Sequence, residues 1–240
     1  MRLFPSLFSA RKALFAPLPC KDALPTAYTE SFRALRTNIN FIVAENNAHS
    51  FVISSAVPEE GSGATALNLA AMLAADHKRV LLVDGDLRHP FVRDALHLPD
   101  NTPGLLAALQ GKLSPAQAVA TCSIENLFVL TPENTCENSA ELLDQPSMAQ
   151  LLDDLKPQYD LVLVSAPPAS VLADAAILGK YVDGALLVVR SKFAPREAIL
   201  LAKQRLEAVQ IKLYGVVLTA FDSRKVRKSS PYAYLHRYNY

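Results

Sequence analysis

Positive charge is missing from the part of this 240-residue chain where a phosphate-handling protein would place it. Between Ser54 and Ala75 there is no lysine, arginine or histidine, although the run SSAVPEEGSGATALNLA (Ser54–Ala70) otherwise has the layout of a phosphate-binding loop. Other shortages exclude whole classes. The three cysteines, Cys20, Cys122 and Cys136, are odd in number and lack metal-ligand spacing, which reads as reduced thiols in a cytosolic protein. No stretch of about 18 uncharged apolar residues exists, so no transmembrane helix is expected. The longest candidate, Leu161 to Ala173, is interrupted by Pro167 and Pro168. Pro5, Arg11 and Lys12 break the apolar N-terminus, which excludes a signal peptide. A formal net charge of +1 argues against general nucleic-acid binding. His49, His77, His89, His97 and His236 show no metal spacing.

Half of the residues are apolar and a fifth charged, enough for a large core. From Tyr28 to about Asp222, apolar runs alternate with helical patterns. The expected fold is α/β, a doubly wound, mostly parallel sheet flanked by helices in a single P-loop NTPase-like domain. Strands are expected at Phe51–Ser54, Val80–Val83, Leu127–Leu130, Leu161–Val164, Ala185–Val189 and Gly215–Leu218. Unbroken Val/Leu runs such as LVLV and ALLVV require burial on both faces, as in parallel sheets. Helices are expected at Glu30–Val43, Ala66–Ala75, Ser139–Leu155 (broken by Pro146), Ala173–Lys180 and Pro195–Gln210. Asp100–Ile124 reads as a short helical insertion. Residues 1–27 form a basic, apolar N-terminal tail that could touch a membrane surface or a partner. Residues 223–240 form a basic C-terminal tail with four of the eight tyrosines.

A strand, a glycine-containing turn and a helix start together grip phosphates through backbone N–H groups. Pro58, Gly61, Ser62, Gly63, Ala64 and Thr65 occupy that frame. Ser62 stands where lysine would reach the β/γ-phosphates, and Gly63 where a hydroxyl would hold Mg²⁺. Glu59 and Glu60 add negative charge and oppose an anion. The run RVLLVDGDLRHP (Arg79–Pro90) ends a buried strand in Asp84 and Asp86. Such carboxylates can hold Mg²⁺ or accept a hydroxyl proton. Alternatively, Asp84 caps a turn and Arg88 pairs with a carboxylate. In YDLVLVSAPP (Tyr159–Pro168), Ser165 occupies the strand end where a P-loop protein carries its second Mg²⁺-holding aspartate. A neutral hydroxyl does not replace that charge.

The ordered set of these runs resembles the cytoplasmic kinase domain of the bacterial tyrosine kinases (BY-kinases) of capsule and exopolysaccharide systems. Glu30, Arg33 and Arg36 in ESFRALR match the family's E-x-x-R-x-x-R helix, which implies ring-like oligomerisation. PEEGSGATALNLA, VLLVDGDLRHP, NSAELL, DLVLVSAPP and SVLADA follow in the family's order. Tyr232, Tyr234, Tyr238 and Tyr240 resemble its autophosphorylated C-terminal cluster. Family members carry Lys at position 62, Ser or Thr at 63, Asp at 165 and usually Asn near Thr219; this chain has none of these.

The resemblance therefore implies a BY-kinase-like subunit that is catalytically dead or impaired. It would act with a membrane polysaccharide co-polymerase or chain-length regulator, as a homo-oligomer at the cytoplasmic side of the inner membrane. No cofactor is expected unless the pocket still works, in which case ATP and Mg²⁺ are implied. An active tyrosine kinase and a phosphatase would act on the tail, and no nucleic acid is involved. The competing readings are an active tyrosine autokinase with a cation from elsewhere, a partition-type ATPase, and a pocket holding nucleotide as a structural ligand.

Overall fold

The computed structural model describes residues 26–221. Residues 1–25 and 222–240 lie outside them, with Cys20, His236, Tyr232, Tyr234, Tyr238 and Tyr240, so the N-terminal tail falls outside except for residues 26 and 27, which belong to the first helix. The chain opens with helix α1 (Thr26–Asn46), followed by β1 (Ser50–Ser55), α2 (Ser62–Ala74) and β2 (Val80–Asp84). After β2 come three short helices, α3 (Val92–Ala95), α4 (Leu105–Leu109) and α5 (Pro115–Ala118). Next are β3 (Ala120–Thr121), β4 (Leu127–Leu130), α6 (Ser139–Leu143) and α7 (Pro146–Leu155). A single 3-10 turn (Lys156–Gln158) leads into β5 (Leu161–Ser165), and α8 (Asp174–Gly179), β6 (Gly184–Arg190), α9 (Arg196–Ala208) and β7 (Leu213–Thr219) complete the domain.

The seven strands lie in the order β3-β4-β2-β5-β1-β6-β7. All pairings are parallel except that of β3 with β4. The sheet is thus the expected P-loop NTPase-like one, with an antiparallel edge added. That edge corrects the reading of residues 100–124 as a purely helical insertion: Ala120 and Thr121 pair with Val129 and Phe128. Two residues are too few to show a period-2 pattern, so only the pairing reveals them.

Every residue of β1, β2 and β5 is buried, which is why these strands read as continuous apolar runs. One face packs a core of Ile39, Phe51, Leu69 and Leu73 beneath α1 and α2. The other packs Leu81, Leu152, Leu178 and Leu206 beneath α7, α8 and α9. Pro146 separates α6 from α7 because it has no N–H to donate and is tolerated in a first helical turn. Helix α2 begins at Ser62, four residues before its alanine- and leucine-rich pattern does. The order puts β1 between β5 and β6, and β2 beside β5. The carboxyl ends of β1, β2 and β5 therefore converge, where open α/β sheets place ligands.

Candidate functional site

Gly61 caps α2 with φ 88°, a left-handed conformation that glycine reaches without a Cβ penalty. The first backbone bond of the helix is Thr65 N–H to the Gly61 carbonyl at 2.9 Å. The amides of Ser62, Gly63 and Ala64 precede that ladder, as at any helix start. The loop frame of the sequence is therefore built.

Its floor is built differently from expectation. Glu60 is buried, at 1% exposure. It accepts from Val57 N–H at 2.8 Å and from Arg190 N–H at 2.9 Å. Its own carbonyl accepts from the Thr219 hydroxyl at 2.9 Å. Arg190 and Thr219 are neighbours across β6 and β7. Glu60 thus ties the loop to two strand ends, while Glu59 stays exposed. The cationic side chain that does touch the loop is Arg190. Its Nη1 donates to the Glu59 carbonyl at 3.4 Å, and its guanidinium stands 4.9 Å from the Phe193 ring centroid. Nothing in the loop's own sequence pointed to Arg190, because it arrives from a strand 130 residues away.

Asp84 is fully buried at the end of β2. Its Oδ2 accepts from the amides of Phe91 at 2.7 Å and Val92 at 2.8 Å, and its Oδ1 from Asp86 N–H at 3.4 Å. Burial pushes its carboxyl up to about 6 against the opposing effect of those amides. Asp86 accepts from Arg88 N–H at 3.2 Å and His89 N–H at 2.9 Å. Arg88 pairs with Asp174 at 2.6 Å. The arrangement is that of the second sequence reading, a carboxylate capping the turn into α3 and an arginine paired elsewhere. Ser165 lies directly beside Asp84 in the β2–β5 register. It is buried, and its carbonyl accepts from Gly85 N–H at 2.8 Å.

Gly63, at the position of the metal-holding hydroxyl, faces the Phe91 ring. A Cβ there would approach the ring to 3.2 Å. Phe91 was not singled out from sequence, because its role depends on a contact with a residue far from it along the chain.

The residues present do not fit a Mg²⁺–nucleotide group of the expected kind. Position 62 offers no cation, position 63 no hydroxyl and position 165 no carboxylate. The Oδ2 of Asp84 is engaged by two backbone amides, whereas its Oδ1 has only a long 3.4 Å contact with Asp86 N–H. Among the described residues no group of three or more His, Cys, Asp and Glu could hold a metal ion.

On α1, Arg33 pairs with Glu30 one turn away and Arg36 with Asp76 at 3.5 Å. All three candidate oligomerisation residues thus have partners within the chain. No helix among the described residues is long and apolar enough to cross a membrane.

A parallel sheet whose central strands meet at a glycine-turned helix start defines the P-loop class. Within it, the chain is 39% identical over 206 residues to the tyrosine-protein kinase YwqD of Bacillus subtilis (strain 168), covering 86% of this chain and 85% of that relative. Among solved structures, the chimerical protein CapA2B2 superposes with a TM-score of 0.76 at 29% identity, over 89% of this chain and 98% of that one. The kinase domain of Escherichia coli tyrosine kinase ETK gives 0.76 at 31% identity, over 84% and 78%. No protein-family model matches the chain. The chain belongs to the bacterial tyrosine-kinase family.

Proposed function

We propose that this chain is a catalytically silent member of the family. It would serve as a cytoplasmic regulatory or scaffold subunit of a surface-polysaccharide polymerisation and export system, acting with a membrane co-polymerase. The observation that carries the proposal is the engagement of Asp84. The residue that would organise a metal in this family instead caps the turn into α3 through two amides on its Oδ2, and the strand end beside it carries Ser165 rather than a second carboxylate. Ser62, Gly63 and Ser165 withdraw the other groups that would stabilise a transferring phosphoryl. Losing one preorganised donor costs roughly 10²–10³ in rate, and this chain lacks several together.

A second reading draws on Arg190. Its guanidinium reaches the loop from β6, so a nucleotide held without transfer, or an autokinase with a borrowed cation, has a candidate for the missing positive charge. Calorimetric titration with ATP and Mg²⁺, followed by a phosphotyrosine assay with Asp84→Ala as control, separates the readings. A silent scaffold shows no Asp84-dependent phosphotyrosine, and phosphotyrosine that disappears in Asp84→Ala would sink the proposal. Nucleotide binding lost in Arg190→Ala without any transfer would favour the structural-ligand reading.

A further inference from the structure

Strand β7 ends the sheet, paired in parallel with β6 on one side and, among the described residues, with no strand on the other. Alternate residues of a strand turn their backbone groups toward the same neighbour. The Thr219 carbonyl accepts from Ser191 N–H at 2.9 Å, so Thr219 and Val217 address β6. The amides and carbonyls of Val216 and Leu218 therefore point off the edge. Their side chains follow Leu187 and Val189 onto the α9 face of the sheet, yet they are 56% and 49% exposed. The strand, LYGVVLT, has no charge and no proline, and so lacks the usual protections of an open edge.

We propose that the chain's own C-terminal segment covers this edge, with Tyr232–Tyr240 pairing antiparallel to β7. The segment sets out from the end of that strand, only Ala220 and Phe221 lying between Thr219 and residue 222. In YAYLHRYNY, Tyr232, Tyr234, Tyr238 and Tyr240 share alternate positions with His236, which is one face of a strand. A register slip of two residues leaves the same face inward, so the tyrosines meet the apolar side in either register. Their rings laid over Val216 and Leu218 cover exposed apolar surface, and pairs of aromatic with aliphatic side chains favour strand addition. Residues 222–231 make the reversal, and Arg224, Lys225, Arg227 and Lys228 fall there rather than on the paired strand. So short a tether holds the segment at an effective concentration of roughly millimolar order. Neither the phosphate loop nor Asp84 takes part, so this docking is independent of the catalytic reading.

Hydrogen exchange resolved by amide, on the full chain, compares wild type with the combined variant Tyr232→Ser, Tyr234→Ser, Tyr238→Ser, Tyr240→Ser. Wild type should protect the amides of Val216 and Leu218, and the variant should exchange them at least about tenfold faster. The amides of Val217 and Thr219, which bond to β6, should not change. Unprotected Val216 and Leu218 in wild type overturn the proposal and leave the edge open to another chain. Protection that survives in the serine variant overturns the tyrosine face. Protection that fades on dilution overturns the internal docking and assigns the edge to a second copy. Nuclear Overhauser contacts read the direction: Tyr232 or Tyr234 should lie against Leu218, with Tyr240 toward Leu213. The reverse order overturns the antiparallel pairing. None of these outcomes bears on phosphoryl transfer, so failure here leaves the proposed function standing.

Discussion

The ring of Phe91 lies against Gly63, while the amide of the same Phe91 donates to Asp84 at 2.7 Å. One residue thus crowds the hydroxyl position of the loop and occupies the carboxylate across from it. The two departures are coupled, so repairing the loop sequence alone meets a steric obstacle. Gly63→Ser must push the Phe91 ring aside by a few tenths of an ångström and should cost up to about 1 kcal/mol after the helix propensity it gains. With Phe91→Ala in the same chain that cost should shrink by at least about 0.5 kcal/mol. Urea unfolding of the two single variants and the double measures the coupling. Strict additivity would mean that the ring swings away freely.

Asp84 gives the domain a specific pH dependence. Its folded pKa of about 6 lies above the ordinary 3.8, so the folded chain holds a proton that the unfolded chain has released. Stability therefore falls as pH rises from about 4 to about 6, and stays lower above that window. The difference corresponds to about 3 kcal/mol, in order of magnitude, for this fully buried group. Asp84→Asn keeps an acceptor for the Phe91 and Val92 amides and removes the charge. It should raise the melting temperature at pH 7.5 and have little effect at pH 4. An equal effect at both pH values would show that the buried charge is not the cause.

The strands were legible because five of them are nearly or fully buried runs, whose patterns survive any tertiary context. The loop frame was legible because Gly61 must turn and α2 must follow. What escaped depends on distant contacts. The anchoring role of Glu60 depends on Val57 of the loop, Arg190 of β6 and Thr219 of β7, which only the fold brings together. Asp84 had two open readings, and only the placement of Phe91 and Val92 distinguishes them. The edge strand β3 is two residues long and carries no periodic signal.

Glu60 should prove a structural anchor. Glu60→Ala leaves the part-buried amides of Val57 and Arg190 without their acceptor and should cost about 2 kcal/mol. Glu60→Gln keeps one carbonyl oxygen and should cost roughly half as much, since only one of the two amides loses a partner. Denaturant midpoints read the ranking. If both variants unfold like wild type, the carboxylate is not holding the loop to β6.

Three of the motifs quoted from sequence meet at one carboxylate. Asp174 of SVLADA accepts from Arg88 of VDGDLRHP at 2.6 Å and from Ser139 of NSAELL, all on the same Oδ1. Its Oδ2 is buried without a hydrogen-bond partner among the described residues. The two charges of the pair are not equally placed. Asp174 has 1% of its side chain exposed and Arg88 has 24%. Removing the arginine strands a buried charge, whereas removing the carboxylate's charge leaves an arginine that can turn toward water. Arg88→Met should therefore destabilise by about 3 kcal/mol and Asp174→Asn by about 1–2 kcal/mol. The double variant should fall near Asp174→Asn, because a neutral amide at position 174 no longer needs the cation. Equal costs for the two single variants would mean that the carboxylate is not the drier end of the pair, and a larger cost for Asp174→Asn would place the arginine there.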